Sequence, residues 1–560
     1  MPAGPVRDGP ATLVEHGATV FVPEGWTIER LPGGDLRMER RGEAASPRFA
    51  GLAATELLGC RLEGIALGMG EALRRTSISP NVKERLDYSC AVLDADGRLV
   101  VNAPHLPVHL GAMGACVRAV AKAIPLGPGD VAIVNHPAFG GSHLPDLTTV
   151  TPVHFDGELV AFVASRAHHA EIGGTRPGSF PPDAKCLAEE GVVVPPTLVV
   201  ARGEDRIDAF ARMLEEAPFP SRSPDENLAD LRASIAANEL GVRQVAAIVD
   251  EIGREAFRSG CAAILTRGRA AVAAIARRLG PSERRAYDRL DDGSPIAVSI
   301  RPSGDRLTID FTGSAPVHSH GFNAPLAVTR AAVMYALRLA SDEEIPLNEG
   351  LLEACEVVVP RGILNPDFAA DPGACPPVVA GNTETSQRVT DVLLAALGLA
   401  AASQGTMNNL LFGDATYGAY ETICGGAGAT EVADGADAIH VHMTNTRITD
   451  VEVLERRFPV VVRRFGVRRG TGGRGTHRGG DGAIREIEFL HPASVSILAQ
   501  RRLVPPPGAA GGEAGSCGRQ WMIRADGSRE EVPGVVAIEL AAGEAIRIET
   551  PGGGGWGAPR

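Results

Sequence analysis

Helical and strand-like hydrophobic periods are interleaved along this 560-residue chain, and no unit of fixed length repeats. One apolar series has spacings of three and four residues, which predicts an amphipathic helix that ends near Arg75. The segment CAVLDADGRLVV instead alternates around a turn at Asp94–Gly97, which is typical of a β-hairpin. This mixture argues against a pure barrel. It predicts an α+β fold, multi-domain with mixed α/β regions.

Length and changes in pattern divide the chain into predicted regions. At about 150 residues per domain, three to four structural units are expected, some with short appendages. In the helical region, glycines 260 and 268 predict breaks between two or three helices. The predicted regions are an N-terminal fragment (1–48), a metal-binding α/β region (49–220), a helical region (221–290), a second mixed α/β region (291–460) and a glycine-rich, β-dominated C-terminal region (461–560).

Composition excludes several classes of partner and site. The chain has 55 basic and 68 acidic residues and a net charge of -13, the opposite of what a nucleic-acid phosphate backbone attracts. No apolar run reaches the roughly 20 residues that a membrane span needs, and the first residues lack the pattern of a signal peptide, so we expect a cytoplasmic protein. None of the three lysines follows a glycine, which excludes a Walker A loop.

Histidines are concentrated in one stretch of the sequence. Seven of the 14 lie between His105 and His169, and histidine is a common metal ligand and acid–base group. GGSHLPD places His143 and Asp146 on a predicted loop, and AHH (Ala167–His169) ends a predicted strand. Two imidazoles and one carboxylate leave coordination positions open, as a catalytic ion requires. The alternative is that these histidines are surface or core residues, because H-x-x-D is a short pattern.

Eight words of the sequence, in order across about 500 residues, are similar to one known family. The chain resembles the hydantoinase B/5-oxoprolinase family, and also the large subunit of acetone and acetophenone carboxylases. GPATLVEHGATVFVPEGW near the N-terminus resembles the end of the companion hydantoinase A half, which precedes the B half in fused 5-oxoprolinases. The matching words are RRTSISPNVKERLDYSCAVLDADGRLV, PVHLGAMG, GGSHLPDLTTVTPV, SRAHHAEIGGTRPGS, AGNTETSQR, SQGTMNN, HMTNTRITD and ETPGGGGWG.

The resemblance implies a divalent metal, with zinc, manganese and iron all compatible with nitrogen and oxygen ligands. The implied ligands are His143, Asp146 and His168, with Asp87 as the fourth. His169 or Glu171, beside these ligands, is a candidate to relay a proton, and the alternative is that either one orients a ligand. AGNTETSQR and SQGTMNN are rich in amides and hydroxyls, which are candidates to line a substrate pocket or to cap a helix. The candidate substrate-binding residues are Asn382, Glu384, Ser386, Gln387 and Asn408.

The leading hypothesis is an ATP-dependent hydrolase of small cyclic amides such as 5-oxoproline or a hydantoin. Phosphorylation of the lactam oxygen would create a leaving group, and the metal would supply activated water. The resemblance implies that ATP is bound by a hydantoinase A-type subunit, so we expect a hetero-oligomer. Two alternatives stay open: an acetone-type carboxylase subunit, and a non-enzymatic subunit whose metal is structural.

Overall fold

The computed structural model describes residues 6–15, 18–41, 51–103 and 105–559. Its helices and sheets are mixed along the chain, which confirms the predicted α+β class. The predicted helix ending near Arg75 forms, and PVHLGAMG begins a second helix that the sequence patterns had not indicated. The α-helices of the described residues are α1 (Leu52–Thr76), α2 (Pro80–Lys83), α3 (Pro107–Ala123), α4 (Asp208–Glu216), α5 (Pro224–Ile252), α6 (Arg254–Leu279), α7 (Leu326–Ala340), α8 (Gly350–Glu353), α9 (Ser386–Leu397) and α10 (Val451–Arg457).

The strands fall into several sheets rather than one. In chain order they are β1 (Arg7–Asp8), β2 (Ala11–Glu15), β3 (Ala18–Val22), β4 (Trp26–Arg30), β5 (Leu36–Arg40), β6 (Tyr88–Asp94), β7 (Leu99–Asn102), β8 (Val131–Val134), β9 (Asp146–Phe155), β10 (Glu158–His168), β11 (Thr197–Ala201), β12 (Glu204–Asp205), β13 (Arg284–Arg289), β14 (Pro295–Ser303), β15 (Arg306–Asp310), β16 (Cys355–Val358), β17 (Asn409–Gly413), β18 (Gly418–Glu421), β19 (Val460–Arg468), β20 (Gly482–Phe489), β21 (Ala493–Leu498), β22 (Arg519–Ile523), β23 (Arg529–Glu531), β24 (Val535–Leu540) and β25 (Ala545–Glu549).

The largest sheet carries the histidine-rich segments. Its strand order is β12-β11-β8-β9-β10-β6-β7, and β6 and β7 form the predicted hairpin. Along β10, Ala161 and Val163 pack with α1 and α5, whereas Phe162 and Ala164 belong to the core on the α3 side. Both faces of the strand are therefore covered, which explains why GELVAFVASRAHH is almost continuously apolar.

The C-terminal strands form two further sheets, β18-β17-β21-β24 and β19-β20-β25-β22-β23, around a core of their own. In the glycine-rich words, the backbone of one segment lies in close contact with the backbone of another. A Cβ atom on Gly553 would lie 1.9 Å from the carbonyl oxygen of Ala427, and the Gly553 N–H donates to the Gly480 carbonyl at 2.9 Å. Only glycine permits such an approach, so this region is dense in glycine for packing reasons.

The helical region breaks at a different glycine from those predicted. The chain leaves α5 and enters α6 at Gly253, whose φ of +84° favours glycine. The predicted breaks at Gly260 and Gly268 are wrong, because both lie inside α6. A Cβ on Gly268 would lie 2.4 Å from Oδ1 of Asn348 and 2.9 Å from the backbone nitrogen of Leu351. This glycine therefore allows α6 to pack closely against α8.

Gly268→Ala should destabilise the protein although alanine favours helices. The propensity gain of about 1 kcal/mol is smaller than the cost of inserting a methyl group against backbone, about 1–3 kcal/mol. Gly64→Ala in α1 is the matched control, because nothing lies within 4 Å of its added Cβ and Gly64 is exposed. Thermal unfolding should show a lower midpoint for Gly268→Ala and an equal or higher one for Gly64→Ala. A raised midpoint for Gly268→Ala would contradict this packing.

Two further features concern the chain as a whole. All nine cysteines are free. Within the described ranges, no helix has the combination of length and apolar character that a bilayer crossing requires.

Candidate metal centre

Three side chains meet at one buried point at the end of the largest sheet. Nε2 of His143 lies 3.1 Å from Oδ1 of Asp146, and Nδ1 of His168 lies 3.0 Å from the same oxygen. The two imidazole nitrogens are 3.2 Å apart. None of the three residues is more than 2% exposed. The sequence-predicted residues His143, Asp146 and His168 are thus brought together as one cluster.

Strand pairing explains this convergence. Asp146 is the first residue of β9 and His168 is the last residue of β10, and the two are cross-strand partners in the antiparallel pair. His143 lies on the loop just before β9. Arg166 holds this loop by donating to the Gly140 carbonyl at 3.0 Å. The loop and both strand ends therefore meet at one corner of the sheet.

The spacing of these three donor atoms fits an ion. Ligands about 2.1 Å from a common ion are about 3.0–3.4 Å apart in octahedral or tetrahedral geometry. The observed separations of 3.0, 3.1 and 3.2 Å match one face of such a polyhedron. Nitrogen and carboxylate donors suit zinc, manganese or iron. The residues present therefore fit a divalent transition metal.

Electrostatics keep the cluster ready for a cation. Burial opposes ionisation of Asp146, but the charges and hydrogen bonds of His143 and His109 hold the pKa of that carboxyl well below its usual value. Burial also lowers the pKa of His168, although Asp87 and Asp146 partly offset this effect. Asp146 is therefore a carboxylate and His168 is neutral at pH 7. These are the protonation states that metal ligation requires.

His109 is a member of the cluster that was not among the predicted site residues. Its Nε2 lies 3.3 Å from Oδ1 of Asp146, and Oγ of Ser89 is 3.3 Å from its Nδ1. His109 lies in the first turns of α3, inside PVHLGAMG. The enrichment in histidine and the family word were the two signals that could have identified it.

Asp87 borders the cluster through His109 rather than through Asp146. Its Oδ1 is 3.9 Å from Nε2 of His109, and its carbonyl accepts the backbone N–H of His168 at 3.0 Å. Arg85 lies 3.6 Å from the Asp87 carboxylate. The role of Asp87 as a fourth ligand stays a prediction, and the structure adds His109 as a second candidate for that position.

Aromatic rings form one wall of the centre. The ring of Tyr420 stacks on His168 with centroids 4.8 Å apart, and on Phe180 at the same distance. The guanidinium of Arg85 also lies over the Tyr420 ring, 4.5 Å from its centroid. Burial raises the pKa of Tyr420, so its hydroxyl stays protonated and donates to Oδ1 of Asn409 at 2.9 Å. This wall excludes water from one side of the imidazoles.

The predicted substrate-binding word AGNTETSQR forms a π-helical turn, Gly381–Thr385, immediately before α9. Such turns are rare and recur at functional sites. The turn brings Nδ2 of Asn382 to 3.2 Å from Nε2 of His143, directly at the cluster. Oγ of Ser386 donates to the Asn382 carbonyl and so stabilises the turn.

The other three candidates lie deeper in the protein. Glu384 accepts hydrogen bonds from the backbone of Met407 and Gln500 and from Asn409. Gln387 bonds to the backbone at Val441 and Met443, and Asn408 bonds to Gln404 and Arg502. These contacts join the family words to one another. Substrate contact by these residues stays a prediction.

Glu171 and His169 occupy the two ends of one hydrogen-bonded chain. The Glu171 carboxylate accepts hydrogen bonds from the guanidinium and the backbone N–H of Arg222. Because a carboxylate oxygen can only accept, the Ser221 hydroxyl donates to it, at 2.8 Å. The Ser221 oxygen then accepts from Nδ2 of Asn227 at 2.9 Å. This turns Oδ1 of Asn227 towards Nδ1 of His169, 2.7 Å away.

The donor-to-acceptor direction of these hydrogen bonds, from Asn227 back to Glu171, assigns the tautomer of His169. Because Oδ1 of Asn227 can only accept, Nδ1 of His169 carries the proton and Nε2 keeps its lone pair. Burial lowers the pKa of His169 despite Asp230 and the hydrogen bond to Asn227, which keeps the ring neutral. Nε2 is buried and has no hydrogen-bond partner among the described residues. Of the two predicted relay residues, His169 is therefore the one with a ring nitrogen that has no partner among the described residues.

The sequence and the fold are similar to those of known proteins. A sequence model of the family described as Hydantoinase B/oxoprolinase matches residues 53–559. The chain is 42% identical over 584 residues to 5-oxoprolinase 1 of Arabidopsis thaliana, covering 98% of this chain and 45% of that protein. A solved structure of an ATP-dependent caprolactamase from Pseudomonas jessenii superposes with a TM-score of 0.82 at 25% identity, covering 91% of each chain. A nucleotide-free acetone carboxylase structure has a TM-score of 0.80 at 18% identity, covering 90% of this chain and 75% of that one.

The same comparison corrects the predicted partner. The chain spans less than half the length of the 5-oxoprolinases that it matches. In those relatives the matched region is part of one longer polypeptide. The expectation of a separate hydantoinase A-type subunit and of a hetero-oligomer is therefore contradicted. The reason is that the words which identify the family occur equally in fused chains, so they carry no information about subunit division.

Proposed function

Because the chain belongs to the hydantoinase B/oxoprolinase family, we propose that it carries the metal-dependent hydrolytic centre of an ATP-dependent cyclic amide hydrolase. The observation that carries this proposal is the triangle of donor atoms from His143, Asp146 and His168 at 3.0–3.2 Å. The name of the Arabidopsis relative makes 5-oxoproline the first substrate to test. The caprolactamase supports the wider class of lactams.

Each neighbouring residue then has a defined task. His143, Asp146 and His168 would hold the ion, with Asp87 or His109 as a further ligand. A divalent ion at this position supplies a Lewis acid and a water of lowered pKa. Asn382 presents its amide N–H groups beside His143 and is placed to donate to an oxygen of the substrate. His169, with its free Nε2 lone pair, would accept a proton.

Burial of the cluster adds one requirement. Asp146 is 0% exposed and Asn382 is 3% exposed, so a substrate reaches the centre only when part of its wall moves. The π-helical turn is suited to this movement, because its wider hydrogen-bond pattern converts to an α-helical one by shifting a single residue. We therefore propose that Gly381–Thr385 adjusts when substrate enters.

Hydrolysis is favoured over carboxylation because the chain is more similar in sequence to hydrolases than to the carboxylase. The relatives at about 42% identity are 5-oxoprolinases, whereas the acetone carboxylase at 18% identity shares only the fold. A structural metal without catalysis is disfavoured by the free acceptor on His169 and by the amide of Asn382 at the cluster. Neither group would be needed for an ion that only holds the fold together.

A chimaera tests the proposal directly. This chain would replace the matched 45% of Arabidopsis 5-oxoprolinase 1, so that the rest of that enzyme is present in the same polypeptide. We expect the metal-loaded chimaera to convert 5-oxoproline to glutamate only when ATP is added. The same chimaera with Asp146→Asn is the control. Fixation of labelled bicarbonate on acetone without glutamate formation would favour carboxylation, and a folded but inactive chimaera would contradict the hydrolase.

A further inference from the structure

A cavity whose lining residues lie outside the histidine-rich stretch is found between the second mixed region and the C-terminal sheets. Its volume is about 660 Å³, within the range of small-molecule sites. Apolar side chains form much of its wall, including Leu290, Phe322, Val532 and Val535. Gln500 and Arg502 also line it. The cavity is therefore an apolar chamber with a few polar groups.

Arg502 is a cation without a close ion pair among the described residues, although the more distant charges of Glu384 and Asp291 partly offset the effect of burial on its pKa. Its three hydrogen-bond acceptors are all neutral: Oε1 of Gln520 at 2.8 Å, Oδ1 of Asn408 at 2.8 Å and the Gln500 carbonyl at 2.7 Å. Within the described part of the chain, no carboxylate lies within 4.0 Å of the guanidinium, and its buried Nη2 has no partner. Burial lowers the pKa of Arg502 to about 10, so it stays charged at pH 7.

Most of the other charged side chains that line the cavity have partners of their own. Asp291 accepts the backbone N–H groups of residues 502–504, and Asp292 lies 2.7 Å from Nε2 of His318. Arg519 is 3.2 Å from the Glu549 carboxylate. Glu531 is exposed. Arg502 is consequently the cation of this wall that has no carboxylate within 4.0 Å in the described part of the chain.

Gln500 adds a second donor on the same wall. Its Oε1 accepts the backbone N–H of Asp291 at 2.7 Å, which leaves the amide nitrogen facing away from that bond. Among the described residues this nitrogen has no hydrogen-bond partner. The backbone N–H of Gln500 donates to Oε2 of Glu384 at 3.0 Å, so the residue is held in place. Both unused groups on this wall are donors, and both are fixed by the protein.

We propose that this cavity binds a small aliphatic carboxylate. The guanidinium of Arg502 and the amide of Gln500 would receive the carboxylate oxygens, because paired N–H donors of this kind match a planar anion. The apolar side chains would cover the aliphatic part. The proposal explains why Asn408, one of the amide residues of SQGTMNN, bonds to Arg502: it orients the guanidinium in the cavity wall.

Butyrate is the probe, and its uncharged isostere butyramide is the control. Calorimetry on the full chain should show butyrate binding that weakens at least about tenfold for butyramide and for Arg502→Gln, because a charge-assisted pair is lost. Arg519→Gln, which removes a cation already paired with Glu549, should change the affinity less than about twofold. Circular dichroism would confirm that both variants are folded.

The comparison of butyrate with butyramide needs no variant, so misfolding of Arg502→Gln would leave the test intact. Equal affinity for the two compounds, no detectable butyrate binding, or unchanged binding in folded Arg502→Gln would each overturn the proposal. Asp146→Asn should bind butyrate as the wild type does. The proposal for the cavity can therefore be wrong while the proposal for the metal centre is right, and the reverse also holds.

Discussion

Asp146→Asn is expected to remove the metal ion and to reduce lactam hydrolysis more than about a hundredfold. Oδ1 of Asp146 is the atom shared by His143, His168 and His109, at 3.0–3.3 Å. An amide of the same shape carries no charge, and it would present either an N–H₂ group or a weaker oxygen donor to the ion. Loss of outer contacts alone costs 10–100-fold in metal affinity or activity, so loss of a direct ligand should cost more.

Elemental analysis and turnover of the chimaera measure this effect. The wild type should hold about one transition metal per chain, and His143→Ala and His168→Ala should lose it as Asp146→Asn does. His136→Asn is the matched control, because His136 is also buried in the histidine-rich stretch but its Nδ1 only accepts the Ala138 N–H. Full metal occupancy in folded Asp146→Asn would contradict the assignment of this centre.

Asp87→Ala should separate catalysis from metal retention. Its carboxylate lies 3.9 Å from His109 and outside the closest triangle, so water or His109 can complete the coordination without it. We expect activity to fall by more than occupancy does. Parallel measurement of both quantities checks this, and equal losses would instead make Asp87 an ordinary ligand of the ion.

The parts of the centre that the sequence predicted share one property. His143, Asp146 and His168, which the family resemblance implied as ligands, lie at the ends of strands or on the adjoining loop, where the sequence pattern also placed them. His109 lies on a helix that begins with proline, and only the packing of α3 against the sheet brings it to Asp146. No strand or helix period could have indicated that contact.

The same limit applies to the π-helical turn and to the helix boundaries. Local patterns do not distinguish a π turn from the first turn of α9, so the position of Asn382 at His143 depends on tertiary contacts. Helix α9 ends at Leu397, and the following residue, Gly398, adopts the left-handed conformation. Glycine in a helical pattern was interpreted as a break at Gly268, where it is instead needed for close packing.

Asn227→Leu is expected to lower kcat by about 10–100-fold without removing the metal. In the wild type, Asn227 accepts the Nδ1–H of His169 and so keeps the Nε2 lone pair free. Leucine has the same branching at Cγ but no acceptor, and the ring is then free to carry its proton on either nitrogen. Because a general base contributes about 10²–10⁴-fold to a rate, partial loss of the correct tautomer should cost less than that full contribution. Asn227 is a positioning residue here, acting through His169.

Asn238→Leu provides the matched control on the same helix. Asn238 is equally buried in α5, but its Nδ2 donates to the Thr149 carbonyl and to Oγ1 of Thr151, both at 3.1 Å. Both leucine variants should lose about 1–3 kcal/mol of unfolding free energy, since each leaves buried polar groups unpaired. Only Asn227→Leu should lower kcat and alter its pH profile, while Asn227→Asp, which keeps an acceptor for Nδ1–H, should restore most of the rate. Equal kcat in the two leucine variants would show that Asn227 acts on stability alone.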